Sequence, residues 1–230
     1  MLKLDECSIA NGGFTLNADF VIEAGSRVAI IGPSGAGKST LLETIAGFRD
    51  LTRGQVLWKQ IDLTSLSPGK RPIAMLFQDG NLFPHLTAEQ NVALGLRPNG
   101  KLSKDERNQV QAALARVGLH GMATRKPSEL SGGQQSRAAL ARVLVQKREL
   151  LLLDEPFAAL GPALKTEMLD LVSDLALETG TTLLMVSHAP EDARRIADQT
   201  VLVAEGIAHA PVPTSELFES PPPALREYLG

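Results

Sequence analysis

The apolar positions along the chain change period several times, and each change marks an element. Residues 2–8, 17–22 and 27–31 carry alternating or continuous aliphatic side chains, with Gly12-Gly13 and Ala24-Gly25 between them, and predict three short strands. Directly after Thr40 the period turns helical, with Leu41, Leu42, Ile45 and Ala46 on one face. Residues 54–58 and 60–63 predict a hairpin, and residues 71–78 a buried strand ending on the polar side chain of Gln78. Thr87 with Gln90 and Ser103 with Glu106 have the spacing of capping boxes. The second box is followed by Val110, Ala113, Leu114 and Val117, then by Gly118 as a stop, and Pro98-Asn99-Gly100 predicts a loop before it. Ser131 with Gln134 opens a further helix through Leu140, Val143 and Leu144. Four leucines at 150–153 run into Asp154 and Glu155. A helix then starts at Pro162, carries Leu164, Met168, Leu171, Val172 and Leu175, and stops at Gly180. Residues 181–187 and 200–203 complete the buried strands, ahead of a proline-rich tail.

Strands alternating with helices predict an α/β fold with a parallel sheet, and the order strand, glycine loop at Gly32–Thr40 with Lys38-Ser39, then helix makes its core that of a P-loop NTPase. The strand-rich start adds an N-terminal antiparallel β subdomain, and about residues 86–140 form an inserted α-helical subdomain. We expect one domain over residues 1–230, with 1–85 and 141–230 forming the core and its β subdomain.

The candidate chemistry begins at Gly32, Pro33, Ser34, Gly35, Ala36, Gly37, Lys38, Ser39 and Thr40, a glycine loop between a strand and a helix. Its glycines let backbone N–H groups converge on phosphate oxygens, and the helix N-terminus adds its dipole. Lys38 is placed to reach the β and γ phosphates of a nucleoside triphosphate, and Ser39 to ligate Mg²⁺. A buried strand delivering Asp154 and Glu155 is the expected magnesium arm of such a site. Consecutive strand residues face opposite ways, so Asp154 is expected to orient the metal shell and Glu155 to polarise the attacking water. Gln78 and His188 lie at the same kind of strand end, where phosphate-facing groups collect, although a surface glutamine or a structural histidine would look the same. Ser131 and Gln134 satisfy a capping box by themselves, but Gly132-Gly133 inside the first turn is costly unless an anion approaches there. Two anion-ready helix N-termini with a single lysine-and-magnesium site suggest that the second completes the site of another copy, giving a two-fold homodimer.

Composition narrows the class. The net charge of −3 lacks the footprint of a nucleic-acid binder, and 4% aromatics argue against a base-stacking platform. No apolar run reaches the length of a membrane span, and the N-terminus lacks the order of a secretory signal. Cys7 is the only cysteine, so no internal disulfide forms. We expect a cytosolic chain that reaches a membrane only through a partner.

Taken together, the glycine loop, Gln78, residues 130–134, residues 150–155 and His188 resemble the ATP-binding cassette ATPases over nearly the whole chain. That resemblance implies ATP and Mg²⁺ as cofactors, with Lys38, Glu155 and His188 catalytic and Ser39, Gln78 and Asp154 around the metal. It implies that Ser131, Gly132, Gly133 and Gln134 form the family signature, and that an aromatic, for which Phe14 is the nearest candidate, stacks on adenine. A chain without fused membrane helices resembles the ATPase of a bacterial importer, a homodimer on the cytoplasmic face of the inner membrane. Its partners would be two transmembrane permease subunits and an extracytoplasmic solute-binding protein. Residues 71–78 with 81–87, residues 152–159 with 162–164, and residues 182–188 are similar to the thiamine-importer branch, which implies a thiamine-binding protein as that partner. Importers of iron, polyamines or anions remain alternatives, as does a DNA-maintenance cassette, although no sustained heptads or basic stripe support the latter. Three departures stand out: Gly161 replaces the usual aspartate, the adenine aromatic has no clear counterpart, and Gln135 replaces a basic residue while Arg137 remains. Gly161 also motivates a non-hydrolysing, nucleotide-controlled module as a further reading.

Overall fold

The computed structural model describes residues 1–78, 82–99 and 101–229, with the side chains of all of these except Asn11, Glu227, Tyr228 and Leu229. Asn81 and Gly100 of the segments above lie outside the described residues. In chain order the elements are β1 (Leu2–Asn11), β2 (Phe14–Ile22), β3 (Arg27–Ile31), α1 (Lys38–Ala46), β4 (Arg53–Trp58), β5 (Ile61–Asp62), β6 (Ile73–Leu76), α2 (Ala88–Ala93), α3 (Lys104–Arg116) and α4 (Gly132–Leu144). There follow β7 (Leu150–Asp154), α5 (Pro162–Thr179), β8 (Thr182–Val186), α6 (Pro190–Ile196), β9 (Gln199–Ala204), β10 (Ile207–Ala208), β11 (Val212–Pro213), α7 (Thr214–Glu219) and α8 (Pro223–Leu229).

Five strands, in the order β6-β7-β8-β3-β9, are mutually parallel, as their nearly continuous apolar sequences require. The N-terminal strands β2, β1, β4 and β5 pair antiparallel and alternate inward and outward side chains. The two groups are one curled sheet: β10 pairs parallel with β2 and antiparallel with β9, closing the gap between them. Helix α1 lies inside the curl. Leu41, Leu42, Ile45 and Ala46 share one core with Leu4, Ile9 and Val56 from the antiparallel strands and with Val28, Leu152 and Leu184 from the parallel ones. Seven of its nine residues are buried, the polar Lys38, Thr40 and Thr44 among them, so the helix is enclosed on nearly all sides.

A second core joins α2, α3 and α4 to α5 and the opposite face of β6 and β7. All three predicted capping boxes form, at Thr87–Gln90, Ser103–Glu106 and Ser131–Gln134. Helix α4 continues past residue 140 to Leu144, so its C-terminal turn packs into the core beside β7. A third, smaller core sits under α6, α7 and α8.

The strand predicted over 71–78 is shorter than expected, at Ile73–Leu76. Arg71 explains its start. The guanidinium is turned inward, only 3% exposed, and donates to the carbonyls of Thr44, Ile45, Thr64 and Leu66 at 2.7–3.1 Å. Two of those carbonyls end α1, where a cation is favoured by the helix dipole. A Cβ at Gly47, which has φ +87°, would stand 2.5 Å from the Arg71 Nε, so only glycine lets the guanidinium pass. Replacing Arg71 with Met should remove the guanidinium donor from all four carbonyls, only Thr44 keeping the Gly47 N–H, and lower stability by about 2–4 kcal/mol, read from the urea unfolding midpoint.

Candidate nucleotide site

The parallel strands bring the predicted residues to one edge of the sheet. Asp154 pairs in register with Val186, and Ile30 pairs with the same residue from the other side. Gly32 and His188 therefore stand two residues beyond the same rung, and Glu155 one beyond Asp154. Leu76 pairs with Leu153, which brings Gln78 level with Glu155 one strand away. This is the carboxyl end of the strands, where α/β sheets bind their ligands.

Gly32 starts the loop with φ +148°, and a Cβ there would lie 2.0 Å from the Val203 carbonyl oxygen. Gly37 caps α1 in the left-handed conformation, with φ +103°. The crest at Pro33, Ser34 and Gly35 is exposed. Lys38 is buried, and its Nζ donates to the carbonyls of Gly32 and Pro33, each at 2.8 Å. Burial pulls its pKa down, against the attraction of Glu155 and Asp154. The lysine is thus folded over its own loop, with both carboxylates near enough to act on it.

Ser39 Oγ donates to Asp154 Oδ1 at 3.0 Å, which joins α1 directly to the end of β7. These are two oxygen donors from rigid elements, a fit for a hard cation such as Mg²⁺ that takes its remaining ligands from phosphates and water. Among the described residues no group of three or more His, Cys, Asp or Glu side chains could hold a metal by itself. Glu155 follows in the left-handed region with φ +46°, its N–H bonded to the Val186 carbonyl at 3.2 Å. The two acids therefore diverge because the chain kinks after β7, and the strand alternation expected from sequence does not extend to Glu155. The Glu155 Oε1 lies 2.5 Å from His188 Nε2.

Other predicted residues lie around this centre. Gln78 is exposed on the turn after β6 and lines a cleft of 540 Å³ with Leu82, Pro84, Gly132, Ser136 and Pro156. Phe14 begins β2 and lays its ring against the loop, since a Cβ at Gly37 would stand 3.0 Å from its Cε1. Ser131 and Gly132 are exposed at the start of α4, where Ser131 Oγ accepts from the Gln134 N–H and Gln134 Oε1 accepts from the Ser131 N–H. Gly133 has a packing reason that the sequence reading missed: a Cβ there would stand 2.2 Å from Leu164 Cδ2, whereas Gly132 has open space. Gln135 donates to the Pro127 and Leu130 carbonyls and so holds the turn before α4. Arg137 ties α4 to the Val117 carbonyl and to Glu167 of α5. Gly161 occupies the N-cap of α5 without any side-chain cap.

One cluster went unread in the sequence. Asp192 Oδ2 accepts from Ser187 Oγ at 2.5 Å and from Lys165 Nζ at 2.7 Å, directly behind His188. Its only sequence signal is an aspartate in the first turn of the helix begun by Pro190.

The Asp154 carboxyl is held above its ordinary 3.8, chiefly by burial, with Glu155 and Glu43 adding and the Ser39 donation and Lys38 opposing. Between the ordinary and raised values the folded chain binds more protons than the unfolded one, so this stabilisation is complete at low pH and lost as pH rises through the raised value. Asp154→Asn should therefore raise the urea midpoint of the chain without added nucleotide at pH 7 and remove the loss of stability that accompanies the rise of pH through the raised value. An unchanged profile would remove burial as the controlling cause.

Comparison with known proteins gives the same reading. Residues 16–158 match a family model described as ABC transporter. The chain is 66% identical over 230 residues to a Thiamine import ATP-binding protein ThiQ of Ruegeria sp. (strain TM1040), covering 100% of both chains. It is 60% identical over 230 residues to the protein of that name from Cereibacter sphaeroides, again with 100% of both covered. A solved dimeric, post-hydrolysis ATP-binding cassette bound to ADP and Pi aligns with a TM-score of 0.79 at 31% identity, over 93% of this chain and 99% of the other. Because the family match runs from β2 through the glycine loop to the segment after Glu155, the chain belongs to the ABC transporter family, as an ATPase of that family.

Proposed function

We propose that this chain hydrolyses ATP to energise the import of thiamine through a membrane permease. The chemistry rests on the His188–Glu155 contact set beside the Ser39–Asp154 bond at the mouth of the glycine loop. The substrate rests on identity of 60–66%, over the full chain, to proteins named for thiamine import.

In this reading the backbone N–H groups of residues 32–40 cradle the phosphates, and Lys38 exchanges its two carbonyl partners for β- and γ-phosphate oxygens. Mg²⁺ held by Ser39 and Asp154, with Gln78 at the cleft edge, neutralises phosphate charge when bound. Glu155 accepts a proton from the attacking water, and the His188 N–H keeps that carboxylate aimed. Phe14, already against the loop, offers its ring to adenine. The exposed Ser131-Gly132 end of α4, with Gly133 and Gln134, covers the loop of a second copy, so that ATP closes a homodimer and hydrolysis opens it. Among the described residues no helix is long and apolar enough to cross a membrane. The chain accordingly works from the cytoplasmic face of the inner membrane, against two permease subunits served by an extracytoplasmic thiamine-binding protein.

Glu155→Gln should retain ATP, accumulate as a dimer in size-exclusion chromatography, and lose about 10²–10⁴-fold in turnover. Turnover at the parental rate would deny Glu155 its role. Labelled-thiamine uptake should vanish in cells lacking the chain and return with the parental chain only, not with Glu155→Gln. Loss of an unrelated solute's uptake with thiamine uptake intact would overturn the substrate.

A further inference from the structure

We propose that Lys165 and Asp192 are a positioning pair, setting the place of His188 and through it the aim of the Glu155 carboxylate. The proposal rests on the roles given to Glu155 and His188 above.

The His188 ring is 43% exposed and borders a cavity of 300 Å³ shared with Glu155, Lys165 and Asp192, so packing leaves it open on one side. Its backbone, by contrast, is pinned on both sides. The Ser187 N–H donates to the Ile30 carbonyl at 3.2 Å, and the Ala189 N–H donates to Ser187 Oγ at 3.0 Å. Ser187 Oγ in turn donates to Asp192 Oδ2, which is fixed by the ammonium of Lys165. Ser187 and Asp192 are 6% and 7% exposed, so these bonds act in a weakly screened setting. A hydroxyl that both accepts from Ala189 and donates to Asp192 needs its acceptor held still. Lys165 does that from a different helix.

Lys165 also joins this loop to the exposed segment after Glu155. It stands one turn into α5, and its N–H bonds the Gly161 carbonyl at 2.9 Å. Ala158, Ala159 and Gly161 are exposed, and Gly161 gives α5 no side-chain cap. A displacement of residues 158–161 is carried by α5 to Lys165, from there to Asp192 and Ser187, and so to His188. The plain alternative is a buried ion pair that matters only for folding.

Three variants of the full chain separate the two: Lys165→Met, Lys165→Arg, and Lys165→Met combined with Asp192→Asn. Lys165→Met should lower kcat for ATP about 10–100-fold, as misplacement of a catalytic group does, with KM within about two-fold because the phosphate loop is untouched. Lys165→Arg, which keeps the charge and the donor, should retain most of kcat. The double variant removes the unpaired buried charge and should recover the thermal midpoint without recovering kcat. In parallel, the His188 imidazole resonance, assigned by its loss in His188→Gln, should move in Lys165→Met and stay in Lys165→Arg. Recovery of kcat together with the midpoint in the double variant, or a His188 resonance indifferent to Lys165→Met, overturns the proposal. A parental chain that does not hydrolyse ATP would refute the function proposed above, while the resonance would still decide the pair.

Discussion

Enclosure of α1 is the constraint on which the rest of this structure depends. A nine-residue helix is too short to hold itself together in water, so its position must come from what surrounds it. Here it is surrounded on nearly all sides by the curl of the sheet, and Arg71 satisfies carbonyls at its C-terminal end. The N-terminal end of α1 is thereby presented at a set height above the strand ends. Ser39 can then meet Asp154 at 3.0 Å, although 115 residues separate them in sequence. The antiparallel strands serve the chemistry in the same indirect way, since they form the outer wall of the enclosure.

Much of this was legible from local pattern. The three capping boxes form because each depends only on two residues three apart and on the backbone between them. The glycine loop, the acids after the leucine strand and the histidine after β8 are likewise legible, because parallel buried strands have a distinctive composition and their ends share an edge. What could not be read depends on contacts between distant segments. Gly133 packs against Leu164, which belongs to another helix. The strand over 71–78 begins late because Arg71 belongs to the end of α1, a partner that no periodicity reveals. The kink at Glu155 is a positive φ at a non-glycine residue, which the sequence has no means of announcing. Lys165, Asp192 and Ser187 come from two elements and a loop, and none has the spacing of a motif.

Several polar groups of the site are already partnered within the protein, and this shapes what binding can contribute. Lys38 donates to two carbonyls and Ser39 to Asp154, the Ser131 hydroxyl accepts from Gln134, and His188 Nε2 lies against the Glu155 carboxylate. A triphosphate therefore exchanges one set of hydrogen bonds for another, and its net gain lies in the difference between them. That difference favours the ligand most where the present arrangement is electrostatically uneasy. Burial disfavours the charged forms of both Lys38 and Asp154, and the Asp154 carboxyl also feels Glu155 and Glu43. In the proposed function, a phosphate beside Lys38 and a divalent cation beside Asp154 would relieve each of these with an opposite charge. On the function proposed above, a charge rearrangement at the junction of α1 and β7 would act beside Glu155, which follows Asp154 directly in the chain and whose N–H bonds the Val186 carbonyl of β8.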